Sequence, residues 1–297
     1  MYELFLTALV EADDFNAACS VLGGLCGMPP WESVMRVLYF QAPPQPPGFA
    51  NHSSLDKPIR KDTAFLLKEL HQNLSRLPFI LQTRYEVDKD RAMGESAAPA
   101  DLNSLPGMLR WTNLPDPPQG RPHLTQRKMV EVWEQKNLQT LMSDNNYEVL
   151  ELFGLIRLTE TWHSFKTEMV EDMYRFYRDH IEFCLYRQLF VRPISDYVPM
   201  ETRTTPPSPP LERLPAFDSL TPVDAQGRWI LLVKTHVLND NRPEDLRKAH
   251  EELNAIRSEL DGVFDFRSID RNVHDPRVPR RQQGVQVLPQ KVTLGKV

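Results

Sequence analysis

The run Phe79-Ile80-Leu81-Gln82-Thr83-Arg84-Tyr85-Glu86-Val87 alternates as a β-strand does, with Phe79, Leu81, Thr83, Tyr85 and Val87 on one side and Ile80, Gln82, Arg84 and Glu86 on the other. The first set predicts a buried face and the second a partly wet one. The same period recurs along the chain. In 181–191, Ile181, Phe183, Leu185, Leu189 and Val191 share a face, and Glu182, Cys184, Tyr186 and Gln188 share the other. Residues 173–178 precede this strand closely enough to form a hairpin with it, although the apolar spacing over 168–177 also fits a helix. Residues 2–10, 31–41, 108–112, 127–133 and 229–238 complete the strand set; Val34, Arg36, Leu38 and Phe40 fall on one side of the second of these.

Helices are fewer. Asp13 and Asp14 offer an N-cap to a first helix carrying Phe15, Ala18, Cys19 and Leu22, which Gly23-Gly24 is expected to stop. Asp62 and Thr63 precede a second, with Leu66, Leu67, Leu70 and Leu74 on its apolar face, and a short third is expected over 138–142. In the last, Asn241 caps, Pro243 sits near N1, Glu244 and Asp245 suit the positive end of the dipole, and Gly262 terminates. Its buried stripe is Leu246, Ala249, Leu253, Ile256 and Leu260. Strands outnumber helices and no βα alternation runs through the chain. The fold class is therefore mainly β (α+β): an antiparallel β-barrel with a few flanking helices. The expected organisation is a single barrel domain over 1–275, with loops at 42–60, 88–105 and 192–222, followed by a basic C-terminal tail over 276–297.

Composition narrows the function. The 297 residues are 41% hydrophobic and 25% charged, as in ordinary globular proteins, and the 26 prolines cluster in loops. A net charge of −5 gives no field for a polyanion, so no specific nucleic-acid binding is expected. The five basic residues of the tail would neutralise only a few phosphates. No apolar run reaches the ~18 residues of a membrane span, and Met1-Tyr2-Glu3 lacks the basic start of a secretory signal. Three cysteines, Cys19, Cys26 and Cys184, make no disulfide framework and fit a reducing compartment.

Chemical signatures are absent. Leu22-Gly23-Gly24-Leu25-Cys26-Gly27 has neither the Walker lysine nor the dinucleotide spacing, the eight histidines form no His-x-x-x-His pair, and no Gly-x-Ser-x-Gly elbow exists. Cys19 and Cys26 read as core cysteines, since no histidine nearby completes a zinc set. No catalytic, cofactor-binding or metal residue is assigned, and no cofactor is expected. One enzyme reading stays open: Arg84, Glu86, Arg175, Glu182, Arg187 and Lys234 all lie on expected strands, so a barrel could enclose the polar lumen of a metal-dependent, tunnel-type triphosphatase. The Glu-x-Glu-x-Lys strand of such enzymes is missing, and Glu131 and Glu134 would face opposite sides. A third reading, a proline-rich adaptor, rests on Pro206-Pro207-Ser208-Pro209-Pro210.

Several stretches, in the right order from end to end, resemble the subunit 18 family of the fungal Mediator complex. They are Tyr2-Glu3-Leu4-Phe5-Leu6-Thr7, Arg36-Val37-Leu38-Tyr39-Phe40, Leu109-Arg110-Trp111 leading to Pro115 and Pro117, Arg127-Lys128-Met129-Val130-Glu131-Val132-Trp133, and Ser268-Ile269-Asp270-Arg271 through Val273-His274-Asp275. The resemblance implies a helix-flanked barrel that pairs with a related barrel, subunit 20, and is anchored by a helix of subunit 8. It also implies a nuclear, non-enzymatic role in which the complex bridges transcription regulators to RNA polymerase II and general initiation factors. The resemblance breaks over 148–164, seventeen apolar-rich residues corresponding to 51 nucleotides, and resumes at Phe165. That run is either a genuine insertion or the translation of a retained intron. The apolar faces of 2–10 and 229–238 exceed what one sheet facing water requires, which points to cover by a partner.

Overall fold

The computed structural model describes residues 1–41, 63–74, 79–115, 123–144, 148–149, 168–192, 210–238 and 242–268. The strands are β1 (Tyr2–Val10), β2 (Trp31–Gln41), β3 (Phe79–Val87), β4 (Gly107–Asn113), β5 (Leu124–Gln135), β6 (Glu148–Val149), β7 (Glu168–Arg178), β8 (Ile181–Phe190), β9 (Thr221–Pro222) and β10 (Trp229–Val237). The helices are α1 (Phe15–Cys26), α2 (Thr63–Leu74), α3 (Leu138–Asp144) and α4 (Pro243–Glu259). Eight strands close into an antiparallel barrel in the order β1-β5-β4-β3-β2-β7-β8-β10, with β10 returning to β1 over the full length of both. Closure removes the free edges that an open sheet would expose.

Each strand has two destinations for its side chains. Leu4, Leu6, Phe183, Leu185, Leu231 and Val233 point outward and are covered by α1, through Ala18 and Leu22, and by α4, through Ala249, Leu253 and Ile256. Leu38, Phe40, Leu81, Tyr85, Leu109 and Trp111 form a second outer cluster with Leu70 and Leu74 of α2 and Leu138, Leu141 and Met142 of α3. A third outer cluster, with Val34, Val170 and Leu189, lies under Met93 and Leu214. The inner face contributes Phe5, Val37, Tyr39, Ile80, Met169 and Met173. Fully burying one such apolar side chain is worth about 1.5–3 kcal/mol, so these layers supply the main cohesion.

Closure explains where the structure departs from expectation. The Ile80–Gln82–Arg84 face of β3 is buried rather than partly wet, because it lines the inside of the barrel; Glu86, at the strand's end, is exposed. The apolar excess of β1 and β10 is likewise covered largely within the chain, by α1, α4 and the lumen. Over 168–178 the strand reading holds, since β7 pairs with β2 on one side and β8 on the other. Asp179 takes φ 56° in the tight turn between β7 and β8. The loop 88–105 packs Met93, Ala97 and Leu102 against the barrel.

Two helix boundaries are corrected. Gly23 and Gly24 do not stop α1, which runs through them to Cys26 and ends at Gly27, whose φ of 65° suits a residue without Cβ. The packing of Ala18 and Leu22 on the barrel wall outweighs the low helix propensity of the glycine pair. Asp14 occupies the N-cap position of α1 without a side-chain cap bond; Arg242 stands at the N-cap of α4, ahead of Pro243, and Asn241 lies outside the described residues. Gly24 is exposed and an added Cβ would meet nothing within 4 Å. Gly24→Ala is therefore expected to stabilise the protein by about 0.5–1 kcal/mol, read as a higher urea midpoint at unchanged slope.

The proline cluster 206–209, the basic tail and the run 150–164 also lie outside the described residues. Glu148 and Val149 pair with Gln41 and Phe40 at the end of β2.

Candidate functional site: a charge-paired barrel lumen

Burying charge inside a barrel is costly unless every charge finds a partner. The lumen meets that condition by pairing charges from strands far apart in sequence. Glu3, fully buried on β1, accepts from Arg110 of β4 through both carboxylate oxygens at 3.1 Å and from Arg127 Nε of β5 at 2.5 Å. Lys234 Nζ and His236 Nε2 of β10 approach the same carboxylate at 3.9 and 3.5 Å. Arg110 also meets Glu131 at 3.1 Å, and Lys234 meets Glu182 at 3.2 Å. A second group joins Arg84 of β3 to Glu171 of β7 at 2.5 Å, with Gln188 Nε2 donating to Glu171 at 3.3 Å. The remaining cavity is about 240 Å³.

Titration follows from these contacts. Burial alone would raise the Glu3 pKa, but Arg127 and then Arg110, with His236 and Lys234, hold it well below its ordinary value of 4.5. Burial likewise opposes ionisation of Glu171, and Arg84 and Gln188 overcome it, so its pKa is lowered too. A carboxylate with a depressed folded pKa stabilises the protein above the unfolded value, and that contribution is lost as pH falls through the folded one. The barrel is therefore expected to hold its stability down to about pH 4.5 and lose it progressively below. An acid titration of the urea midpoint checks this. Burial pushes the Cys184 thiol up to about 12, which leaves it protonated and unreactive at neutral pH.

Of the side chains singled out from sequence as a possible lumen, Arg84, Arg175, Glu182 and Lys234 do line it. Arg187 does not: it points outward, pairs with Asp172 at 3.1 Å and lies 4.4 Å over the Trp229 ring. Glu86 is solvent-exposed. Glu3, Arg110, Arg127 and Glu171 were not legible as lumen residues. The available signal was a lone carboxylate or guanidinium on the alternate face of an otherwise apolar strand, as Glu3 is beside Phe5. Glu131 faces the lumen while Glu134, at φ 57°, is exposed. Cys19 and Cys26 are half-buried against the outer cluster under α1. Among the described residues no group of three or more His, Cys, Asp or Glu stands ready to hold a metal ion. No helix among them is long and apolar enough to cross a membrane.

These features define a class: a closed eight-strand antiparallel barrel, clad by helices, with a salt-bridged interior. The family model described as Med18 protein matches residues 2–153 and 155–277, including most of the run 148–164. The chain belongs to the Med18 family. Its fold is similar to that of a chain in the structure of the Schizosaccharomyces pombe Mediator head module, at a TM-score of 0.53 and 14% identity, over 91% of this chain and 99% of that one. No curated protein matches it in sequence.

Proposed function

We propose that the chain is a non-enzymatic subunit of the nuclear Mediator complex, helping to bridge transcription regulators to RNA polymerase II and the general initiation factors. The observation that carries this reading is the family match running from residue 2 to residue 277. The lumen supports it, because the carboxylates that a metal-dependent hydrolase would need are engaged by arginines and lysine. The immediate partners on this reading are a subunit 20-type barrel and a helix of subunit 8. Large apolar side chains stand ready for such contacts: Trp31 is 58% exposed, Phe65 70% and Leu238 75%.

Affinity purification of the full chain from nuclear extract tests the proposal. Other Mediator subunits should accompany it in fixed proportion, and coexpression with the subunit 20 homologue should give a 1:1 dimer. Recovery without any Mediator subunit would refute the assignment. A triphosphate-hydrolysis assay with magnesium or manganese should show no turnover above a blank. Turnover abolished by Glu182→Ala would establish the tunnel enzyme instead.

A further inference from the structure

We propose that the chain's own basic run 277–281 docks across one mouth of the barrel, seating its arginines against Trp31 and Trp133. The mouth is read from strand register. Met35 of β2 and Glu131 of β5 line the cavity, so Trp31 and Trp133, four and two positions further out, stand on the same inward-facing register. Pairing carried through β5, β4, β3 and β2 brings both to the same end of the barrel. Tyr177 lines the cavity at that end too, two residues beyond Arg175, which pairs with Trp31. Deeper in, Met35 is buried, whereas Trp31 is 58% and Trp133 44% exposed. Two indoles thus stand uncovered at an open rim.

Each indole is followed by an exposed glutamate, Glu32 and Glu134. Glu86 of β3, exposed and opposite Met35, stands on the rim between them. Among the described residues none of these three carboxylates enters an ion pair, and Lys136 is the one cation beside them that is likewise unpaired. An aromatic face next to a free carboxylate attracts a guanidinium both through the ring and through charge. Residues 276–297 hold five basic residues and no acidic one, and Arg277, Arg280 and Arg281 are the densest group of them. Arg277 and Arg281 are four positions apart, ~13 Å along an extended backbone, so their side chains can serve both sides of the mouth. The reach also fits. Phe266 O lies 2.9 Å from His123 Nδ1, just before β5, and Trp133 is ten residues further along that strand, ~33 Å away. The run 277–281 begins eleven residues after Phe266 and ends fifteen after it, a reach of ~36–50 Å. Single exposed contacts of this kind are weak, but attachment to the same chain supplies an effective concentration of order millimolar. This inference is independent of the Mediator reading. A partner seated on Trp31 would compete with the run, so the chain is tested alone.

A fluorescein-labelled peptide of residues 276–283, titrated at low ionic strength and followed by anisotropy, tests it against two full-length proteins. One is the unaltered chain; the other carries Arg277→Gln, Arg280→Gln and Arg281→Gln, which vacate the mouth without shortening the protein. The peptide should bind the variant saturably and the unaltered chain at least ~10-fold more weakly, because the attached run competes at its effective concentration. Added salt should weaken binding to the variant. Trp133→Ala with Glu134→Gln, introduced into the same variant, should weaken it by about 5-fold. Both side chains are exposed, so far-ultraviolet circular dichroism should stay unchanged. Equal binding by the unaltered chain and the variant would overturn occupancy by the run and leave the mouth to a partner's basic segment. Absence of saturable binding to the variant, or binding indifferent to the Trp133 and Glu134 changes, would overturn the site itself.

Discussion

Glu3→Ala is expected to destabilise the barrel by about 3–5 kcal/mol, because it breaks a buried ion network on one side only. Arg110 and Arg127 would lose their shared carboxylate while remaining inside, and Lys234 would keep only Glu182. The cost is desolvation without compensation, of the same size as a large apolar truncation nearby but different in origin. Phe5→Ala offers the comparison: it removes a buried ring from the same strand but leaves no charge unmatched. Urea unfolding followed by far-ultraviolet circular dichroism measures both. A Glu3→Ala loss below about 1 kcal/mol, the range of an exposed pair, would show that the network is solvated. Removing Glu3 together with Arg127 should recover part of the loss, and a double-mutant cycle isolates that coupling.

Arg36→Ala should cost a similar ~3–5 kcal/mol by the same one-sided logic, but through the outer wall. Arg36 is 1% exposed and donates to Glu168 and to the carbonyl oxygen of Leu211. The Leu211 amide donates back to Glu168 Oε2 at 3.0 Å, so one ion pair fastens the segment beginning at Leu211 to β2 and β7. That segment also holds the loop beyond β3, since the Gly94 amide donates to the Leu214 carbonyl at 3.0 Å and the Ala100 amide to the Glu212 carbonyl at 2.8 Å. Hydrogen exchange at Gly94, Ala100 and Leu211 should therefore accelerate in the variant more than exchange in β10. Arg36→Lys keeps the charge but loses the planar fork that reaches both partners, and should fall between. Uniform acceleration across the barrel would refute a fastening role for this residue.

Period-two alternation in 79–87 and 181–191 and the capped amphipathic stripe of 243–260 were sufficient to recognise an antiparallel, helix-flanked barrel. Such periodicity is a local property: it records which side chains avoid water and survives whatever packs against them. Local signals failed where packing overrode them. Gly23-Gly24 reads as a stop in isolation, yet α1 continues because Ala18 and Leu22 are anchored on the barrel. The alternate face of β3 reads as partly wet, yet closure of β10 onto β1 seals it.

Residue order alone carries the strand set, the mainly β class, the family resemblance, and the want of a phosphate loop, a zinc set or a nucleophile elbow. Which charges meet is a property of the folded barrel. Glu3 and Arg110 are 107 positions apart, and Arg84 and Glu171 are 87 apart. Ion pairing depends on separation in space and on the dielectric around the pair, and both are set by strand register around a closed barrel. Strand alternation turned Arg187 outward onto Trp229, whereas closure brought Arg84 and Arg175 to one methionine sulfur.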